Sequence, residues 1–513
     1  MTSPEAFQPP AAFNIADYFL TARLDEGHAD RVALRLDDRT LTYGEVQRLA
    51  ARAGNALRGM GVRPEERVLV ALPDGPAFVA ALFGTLAIGA VVVMVNPELP
   101  VDNVAGIVGY ARAPVAVVSG AAAEVFRDAA EQAGRDLQLL VVDGDAPDGA
   151  QDLATVATHR DDPAIWLFSG GTTGRPKAVV QTHRSFANTT ELYAKRTMGY
   201  GPDDISISVP KLYFGYATGS NLFFPFSVGG SSVLFAGRPT AEGLLRRIAQ
   251  HRATILVNVP KIVAEMVDYP GAAQADVSSL RFATSAGEAL PPALYDRWKS
   301  TFGVELLDGL GTAEMWHVFV TNTVDDVRPG TLGKPVAGFD VRVRDADGQD
   351  LPDGEVGRLW VAGDSRAIGY WQDMPQTMEA FRGEWFAASD LVSRDVDGYI
   401  HYVGRADDAM KVGGKWLLPA EVESCLLGHP EVAEAAVVGA PDDSGLTKPV
   451  AFVVPAAADG EDLEDRLVEH TLRELEPYKR PRQVVIVDTL PRTHLGKVNR
   501  AALRERATEA LRP

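Results

Sequence analysis

In Ser169-Gly-Gly-Thr-Thr-Gly-Arg-Pro-Lys177 the residue types that hold phosphate stand together. Gly170, Gly171 and Gly174 let backbone N–H groups approach an anion closely. Ser169, Thr172 and Thr173 add hydroxyl donors, and Lys177 brings a point charge. The apolar run Ile165 to Phe168 leads into this loop and Val179-Val180 follows it, so two strands are expected to flank it. The spacing G-x-x-x-x-G-K-[ST] is absent and a helix is not expected next, so helix-dipole binding is not the natural mechanism.

Two further segments carry polar groups behind strand-like runs. Ser285-Ala-Gly-Glu-Ala-Leu-Pro291 follows Leu280 to Ala283, and Asp308-Gly-Leu-Gly-Thr-Ala-Glu-Met315 follows Val304 to Leu307. Ligands of α/β sheets collect at the carboxyl ends of such strands. Glu314 is a suitable ligand for a hard cation that also holds substrate phosphates. Near the end, Pro491-Arg-Thr-His-Leu-Gly-Lys497 offers a lysine preceded by glycine. No serine–histidine pair and no Cys/His cluster emerges to suggest hydrolysis instead.

The phosphate loop resembles the signature of the adenylate-forming enzymes, the superfamily of acyl- and aryl-CoA synthetases, peptide-synthetase adenylation domains and firefly luciferase. The resemblance runs from about Asn14 to Arg500. It implies that the loop and Lys177 hold the triphosphate of ATP, and that Glu288 and Ala289 belong to the adenine wall. Asp308, Gly309 and Thr312 then meet AMP, and Glu314 binds Mg²⁺. It further implies that Asp390 and Arg405 bind the ribose hydroxyls, that Lys497 is the catalytic lysine, and that Asp407 is the hinge of a C-terminal domain whose rotation presents Gly413 and Gly414 to CoA. Three residues depart from the common form: Leu310 for tyrosine, Ala313 for threonine, with Thr312 as a substitute hydroxyl, and Arg492 for lysine.

Chemically, these parts suit a carboxylic acid. It is ionised at neutral pH, so its attack on the α-phosphorus of ATP needs charge neutralisation and alignment, not a base. Lys211-Leu-Tyr-Phe-Gly-Tyr-Ala-Thr-Gly-Ser-Asn221 and Met315-Trp-His317 look most like benzoate-CoA ligases, which implies a flat pocket lined by Gly215, Tyr216, Phe224 and His317. Gly215 is expected to leave room for a ring substituent. The first segment also lacks the aspartate that amino-acid-activating domains use. The expected reaction is ATP-dependent activation of an aromatic acid to the aryl-adenylate and transfer to CoA. Transfer to a carrier protein is the alternative, and a nonenzymatic nucleotide sensor is the third reading, disfavoured by the intact Lys177, Glu314 and Lys497.

Around these motifs the chain of 513 residues is long enough for more than one domain, and 46% hydrophobic with 23% charged residues is an ordinary globular balance. A net charge of −19 argues against nucleic acid and anionic membranes as partners. One cysteine, Cys425, allows no internal disulfide and reads as a small core residue; with no signal peptide evident, a cytoplasmic setting is expected. Oligomeric state is left open, a homodimer included. Strands and helices alternate from Arg31 to Val259. Thr42-Tyr-Gly-Glu45 forms a capping box, and the apolar stretch Phe78 to Val95 reads as a buried helix running into a strand. Short strands with Gly/Asp turns follow Thr331, and the pattern resets at Arg405 to Asp408. The expectation is an α/β protein: residues 1–404 form a large N-terminal domain of parallel and mixed sheets flanked by helices, with a small barrel-like β region. Residues 405–513 form a small mobile α+β domain. His183 is expected to be structural.

Overall fold

The computed structural model describes residues 7–170, 176–413, 415–442, 445–456, 462–492 and 498–511. The chain divides into two compact units. The first comprises residues 1–169, 178–341 and 361–386, and the second comprises 170–177, 342–360 and 387–513. No helix among the described residues is long and apolar enough to cross a membrane.

Two sheets build the first unit. One has nine strands, in the order Lys334–Pro335, Val318–Thr321, Leu306–Gly311, Phe282–Ser285, Ile255–Asn258, Ile205–Ser208, Ser231–Val233, Val32–Arg35, Thr40–Thr42. Its middle is parallel, and antiparallel pairs close both ends. The other has seven, in the order Gly369–Tyr370, Pro176–Thr182, Pro163–Gly170, Val91–Met94, Arg67–Ala71, Val115–Val118, Gln138–Val141. Strands such as Val91–Met94 and Val115–Val118 are buried along their whole length, the pattern of a parallel sheet covered on both faces. The capping box forms as expected: Thr42 Oγ1 accepts from Glu45 N–H, Glu45 returns a carboxylate to Thr42 N–H at 2.7 Å, and helix Tyr43–Gly59 follows. Helix Pro76–Ala87 is apolar all round and buried, running into strand Val91–Met94.

In the second unit a sheet includes Asp340–Arg344, Val356–Ala362, Trp385–Arg394 and Ile400–Arg405. The small β region expected there, a barrel or a sheet, is this sheet. After Arg405 come the hairpin Met410–Val412 with Lys415–Leu417 and a three-stranded sheet of Val432–Pro441, Thr447–Pro455 and Gln483–Ile486. Because side chains alternate across a strand, Val437, Ala451 and Val453 pack on one face with helices Pro419–Leu427 and Leu463–Glu474. Ala436, Val438 and Phe452 pack on the other with helix Arg500–Ala510. Cys425 is half-buried rather than a core residue; its helix turns Val422 and Leu426 inward instead.

Candidate active site

Parallel pairing sets Ser285 opposite Asp308 at the carboxyl ends of neighbouring strands. Both are buried, and Asp308 Oδ1 and Ser285 Oγ have no hydrogen-bond partner among the described residues. Burial pushes the Asp308 carboxyl up to about 8, with N–H groups of Gly309 and Leu290 pulling it back. An acceptor–donor edge left unmet inside a protein is costly unless a ligand completes it. Gly309 and Gly311 are needed here for close approach: a Cβ on Gly309 would lie 2.9 Å from Val320 O, and one on Gly311 2.5 Å from His317 O.

After this strand, Thr312 caps the short turn Ala313–Met315 by accepting Met315 N–H at 3.3 Å. The hydroxyl expected to meet AMP therefore already accepts a backbone donor. The turn is held by Gln181 Nε2, which donates to Ala313 O at 2.6 Å, and by Ala367 N–H, which donates to Glu314 O at 2.8 Å. Glu314 is 8% exposed, and the Tyr370 hydroxyl donates to its Oε1 at 2.9 Å. Among the described residues no cluster of three metal-ligating side chains exists. A single carboxylate of this kind fits Mg²⁺, a hard cation bound mostly through substrate phosphates and water.

Next, Trp316 takes φ +62°, ψ −51°, and His317 N–H donates to Met315 O at 2.8 Å. This is a γ-turn, strained for a non-glycine residue. The strain is retained because the indole is buried against Phe186, at 4.5 Å between ring centres, and Phe224, at 5.5 Å.

The turn delivers His317 into a cluster of rings. The imidazole centre lies 5.4 Å from both Tyr193 and Tyr216 and 4.7 Å from Phe224. Its Nε2 is 3.1 Å from Tyr216 O and 3.1 Å from Ser220 Oγ. A carbonyl only accepts, so Nε2 carries the proton. Nδ1 is then a bare acceptor, and it has no partner among the described residues. Burial pushes the pKa of His317 down to about 3, so the ring stays neutral. The Tyr216 hydroxyl pairs with Thr284 Oγ1 at 2.6 Å, tying the aromatic segment to strand Phe282–Ser285.

Of the expected acid-site residues, Tyr216, Phe224 and His317 thus come together. Gly215 does so too, but its expected free space is absent. A Cβ built there would meet Leu167 Cδ1 and Cδ2 at 3.1 and 3.3 Å, because the side chain from strand Pro163–Gly170 fills it. Glu288 and Ala289 are exposed in the loop after Phe282–Ser285. Ser220, Thr284, Tyr193 and Tyr370 were missed; each acts through a contact distant in sequence that local spacing does not encode. His183 is structural as expected: its Nδ1 accepts Ile15 N–H at 3.1 Å, and burial pushes its pKa down to about 3.

In the second unit, Asp390 and Arg405 are cross-strand partners, with Arg405 Nη1 3.8 Å from Asp390 Oδ1 and Nη2 3.3 Å from Asp407 Oδ2. Burial works to lower the pKa of Arg405, but the two carboxylates together raise it. Asp407 sits in the short turn Ala406–Asp408, and its neighbour Asp408 holds Arg500 at 3.2 Å and Arg504 at 3.2 Å. Arg500, at the start of the last helix, also meets Glu423 at 2.6 Å. Arg492 and Val498 pair as an antiparallel bridge on either side of residues 493–497. Ser169 and Gly170 end strand Pro163–Gly170, Lys177 lies half-buried near the start of strand Pro176–Thr182, and Gly413 follows Met410–Val412 with φ +57°. Gly171, Thr172, Thr173, Gly174, Gly414 and Lys497 lie outside the described residues.

The AMP-binding enzyme profile matches residues 21–371, and that of the AMP-binding enzyme C-terminal domain matches 421–497. The chain is 38% identical to a benzoate–CoA ligase of Thauera aromatica, covering 98% of both chains. It is 37% identical to a 4-hydroxybenzoate–CoA/benzoate–CoA ligase of Rhodopseudomonas palustris, over 97% of this chain and 95% of the other. The crystal structure of an anthranilate CoA ligase in complex with anthranoyl-AMP superposes with a TM-score of 0.91 at 35% identity, over 98% of each chain.

Proposed function

The chain belongs to the AMP-binding enzyme family, and from that premise we propose how its residues divide the work. The protein is an AMP-forming acid–CoA ligase that activates an aromatic carboxylic acid with ATP and passes the aroyl group to CoA. In the first half-reaction a carboxylate oxygen bonds to the α-phosphorus of ATP as the bond to pyrophosphate breaks. In the second, the CoA sulfur bonds to the carbonyl carbon as AMP leaves, and the thiol proton goes to solvent.

The loop Ser169 to Gly174 and Lys177 are assigned the β- and γ-phosphates, and Lys497 the negative charge shared by carboxylate and α-phosphate. The unmet edge of Asp308 and Ser285 suits the donors and acceptors of adenine, beside Glu288, Ala289 and Gly309. Asp390 and Arg405 suit vicinal ribose hydroxyls. Mg²⁺, held by Glu314, would supply charge neutralisation at the phosphates. Gly413 and Gly414 are assigned to the CoA side and Asp407 to the hinge at a boundary between residues 404 and 405.

What carries the arene reading is the neutral imidazole of His317 in a wall of aromatic rings. It is apolar enough for a flat ring, and its Nδ1 acceptor suits a hydroxyl or amino substituent. ATP–pyrophosphate exchange across benzoates, cinnamates, fatty acids and amino acids tests this, followed by thiol transfer to CoA and to carrier proteins. Exchange led by benzoates and transfer to CoA is expected. Exchange led by fatty or amino acids would overturn the arene assignment, and transfer to a carrier protein alone would overturn the choice of thiol.

A further inference from the structure

Asp74 stands one residue before Gly75, the N-cap of helix Pro76–Ala87, and no side chain caps that helix. Instead Asp74 Oδ1 accepts Leu212 N–H at 2.8 Å, across 138 positions of sequence, and the carboxyl group is buried. Lys211 is its opposite charge. The lysine Nζ donates to Phe235 O at 2.7 Å and stands 3.8 Å over the Phe235 ring, so the cation is itself held in place. Burial pushes the carboxyl up to about 7, while Lys211 and the Leu212 N–H favour its charged form.

Leu212 lies in the connection between strand Ile205–Ser208 and the short helix Gly215–Thr218. Its other backbone group is also fixed, because Thr218 Oγ1 donates to Leu212 O. Phe214 N–H closes a turn onto Lys211 O at 2.9 Å, and Thr218 N–H bonds Phe214 O at 3.0 Å. Leu212 is therefore held at both its backbone groups and anchors the start of the segment, as the Tyr216–Thr284 and Ser206–Ser220 bonds anchor its later part, and the residues that follow present Tyr216 O and Ser220 Oγ to His317. A buried carboxylate spent on one backbone N–H has a positional consequence at this place.

We propose that Asp74 is a positioning residue for the acid site, clamping Leu212 so that the Tyr216–Ser220 segment holds the imidazole of His317 in register. This rests on the assignment of Tyr216 and His317 to the acid site, but the identity of the acid does not enter it. The kinetics are therefore measured with whichever acid supports the fastest pyrophosphate exchange.

Asp74→Ala removes the acceptor and Asp74→Asn retains one, since an amide oxygen can take the same N–H. For Asp74→Ala the KM of the acid is expected to rise about tenfold or more, the effect of losing one buried hydrogen bond to a charged group, with the KM of ATP within about twofold of wild type. Asp74→Asn should recover most of this. Thr218→Val cuts the other end of the same brace and should reproduce the selective rise if Asp74→Ala does not fold. An unchanged KM for the acid in folded Asp74→Ala or in Thr218→Val would overturn the proposal, as would equal losses for acid and ATP or failure of Asp74→Asn to rescue. Failure of the arene assignment shows separately, as a different preferred acid in wild type.

Discussion

Gly219→Ala should damage the acid site selectively. The glycine has φ −68°, ψ −69°, which alanine adopts readily, so the backbone gives no reason for glycine. The side-chain environment does: a Cβ would stand 2.5 Å from His317 Cδ2, 2.7 Å from its Nε2 and 3.1 Å from Phe224 Cζ. Carbon atoms in contact need about 3.5 Å, so the imidazole must retreat by roughly 1 Å. Its Nε2 contacts of 3.1 Å to Tyr216 O and Ser220 Oγ then cannot both survive. Overpacking costs about 1–3 kcal/mol and a lost buried hydrogen bond about 1 kcal/mol; the gain of alanine over glycine in a helix offsets less than about 1 kcal/mol. The net, about 2 kcal/mol, is a loss of folding stability; the hydrogen bond lost at the imidazole, about 1 kcal/mol, is roughly a fivefold fall in kcat/KM for the aromatic acid. Steady-state pyrophosphate exchange, varying acid and ATP in turn, reads this. A folded Gly219→Ala enzyme with wild-type kcat/KM for the acid would refute the packing of Gly219 against His317.

Further outcomes are expected elsewhere. Lys497→Ala should lower adenylation about 100-fold or more, while transfer from a supplied aryl-adenylate to CoA persists; equal loss of both steps would remove the assigned role. Asp407→Pro should retain pyrophosphate exchange and lose thioester formation by orders of magnitude, because proline pins φ near −65° where a hinge must turn; loss of neither step would deny Asp407 the hinge. Although Asp74 and Asp308, with carboxyls raised to about 7 and about 8, gain stability on acidification, His183 and His317, held neutral down to about 3, lose it from about pH 6.5, the pKa of histidine in the unfolded chain, down to about pH 3. At pH 5 each histidine contributes a loss of about 2 kcal/mol, and His183→Gln should weaken that acid-dependent loss in denaturant titrations; an unchanged pH dependence would contradict its buried neutral state.

The alternating elements were legible in the sequence because period and punctuation are local: Thr42 and Glu45 announce a helix start, and Val115–Val118 reads as a buried strand at sight. The run Gly215 to Ser227 was not legible as helix, since it is buried on almost every side and shows no polar stripe to give a helical period. Gly215 misled for a related reason. Whether a small residue leaves a space depends on what fills it, here Leu167 on a distant strand. Asp74 in Pro-Asp-Gly-Pro reads as an ordinary turn, and only the long-range bond to Leu212 gives it another use.

Activation of an aromatic acid is tested most directly by the kcat/KM for thioester formation with ATP, CoA and either benzoate or hexanoate, with AMP and pyrophosphate measured as co-products. The expected result is benzoyl-CoA formed with one AMP and one pyrophosphate per thioester, and a clearly higher kcat/KM for benzoate, because the Tyr216, Phe224 and His317 rings form a wall suited to an arene. An equal or higher kcat/KM for hexanoate, or thioester formed with ADP and phosphate in place of AMP, would contradict it.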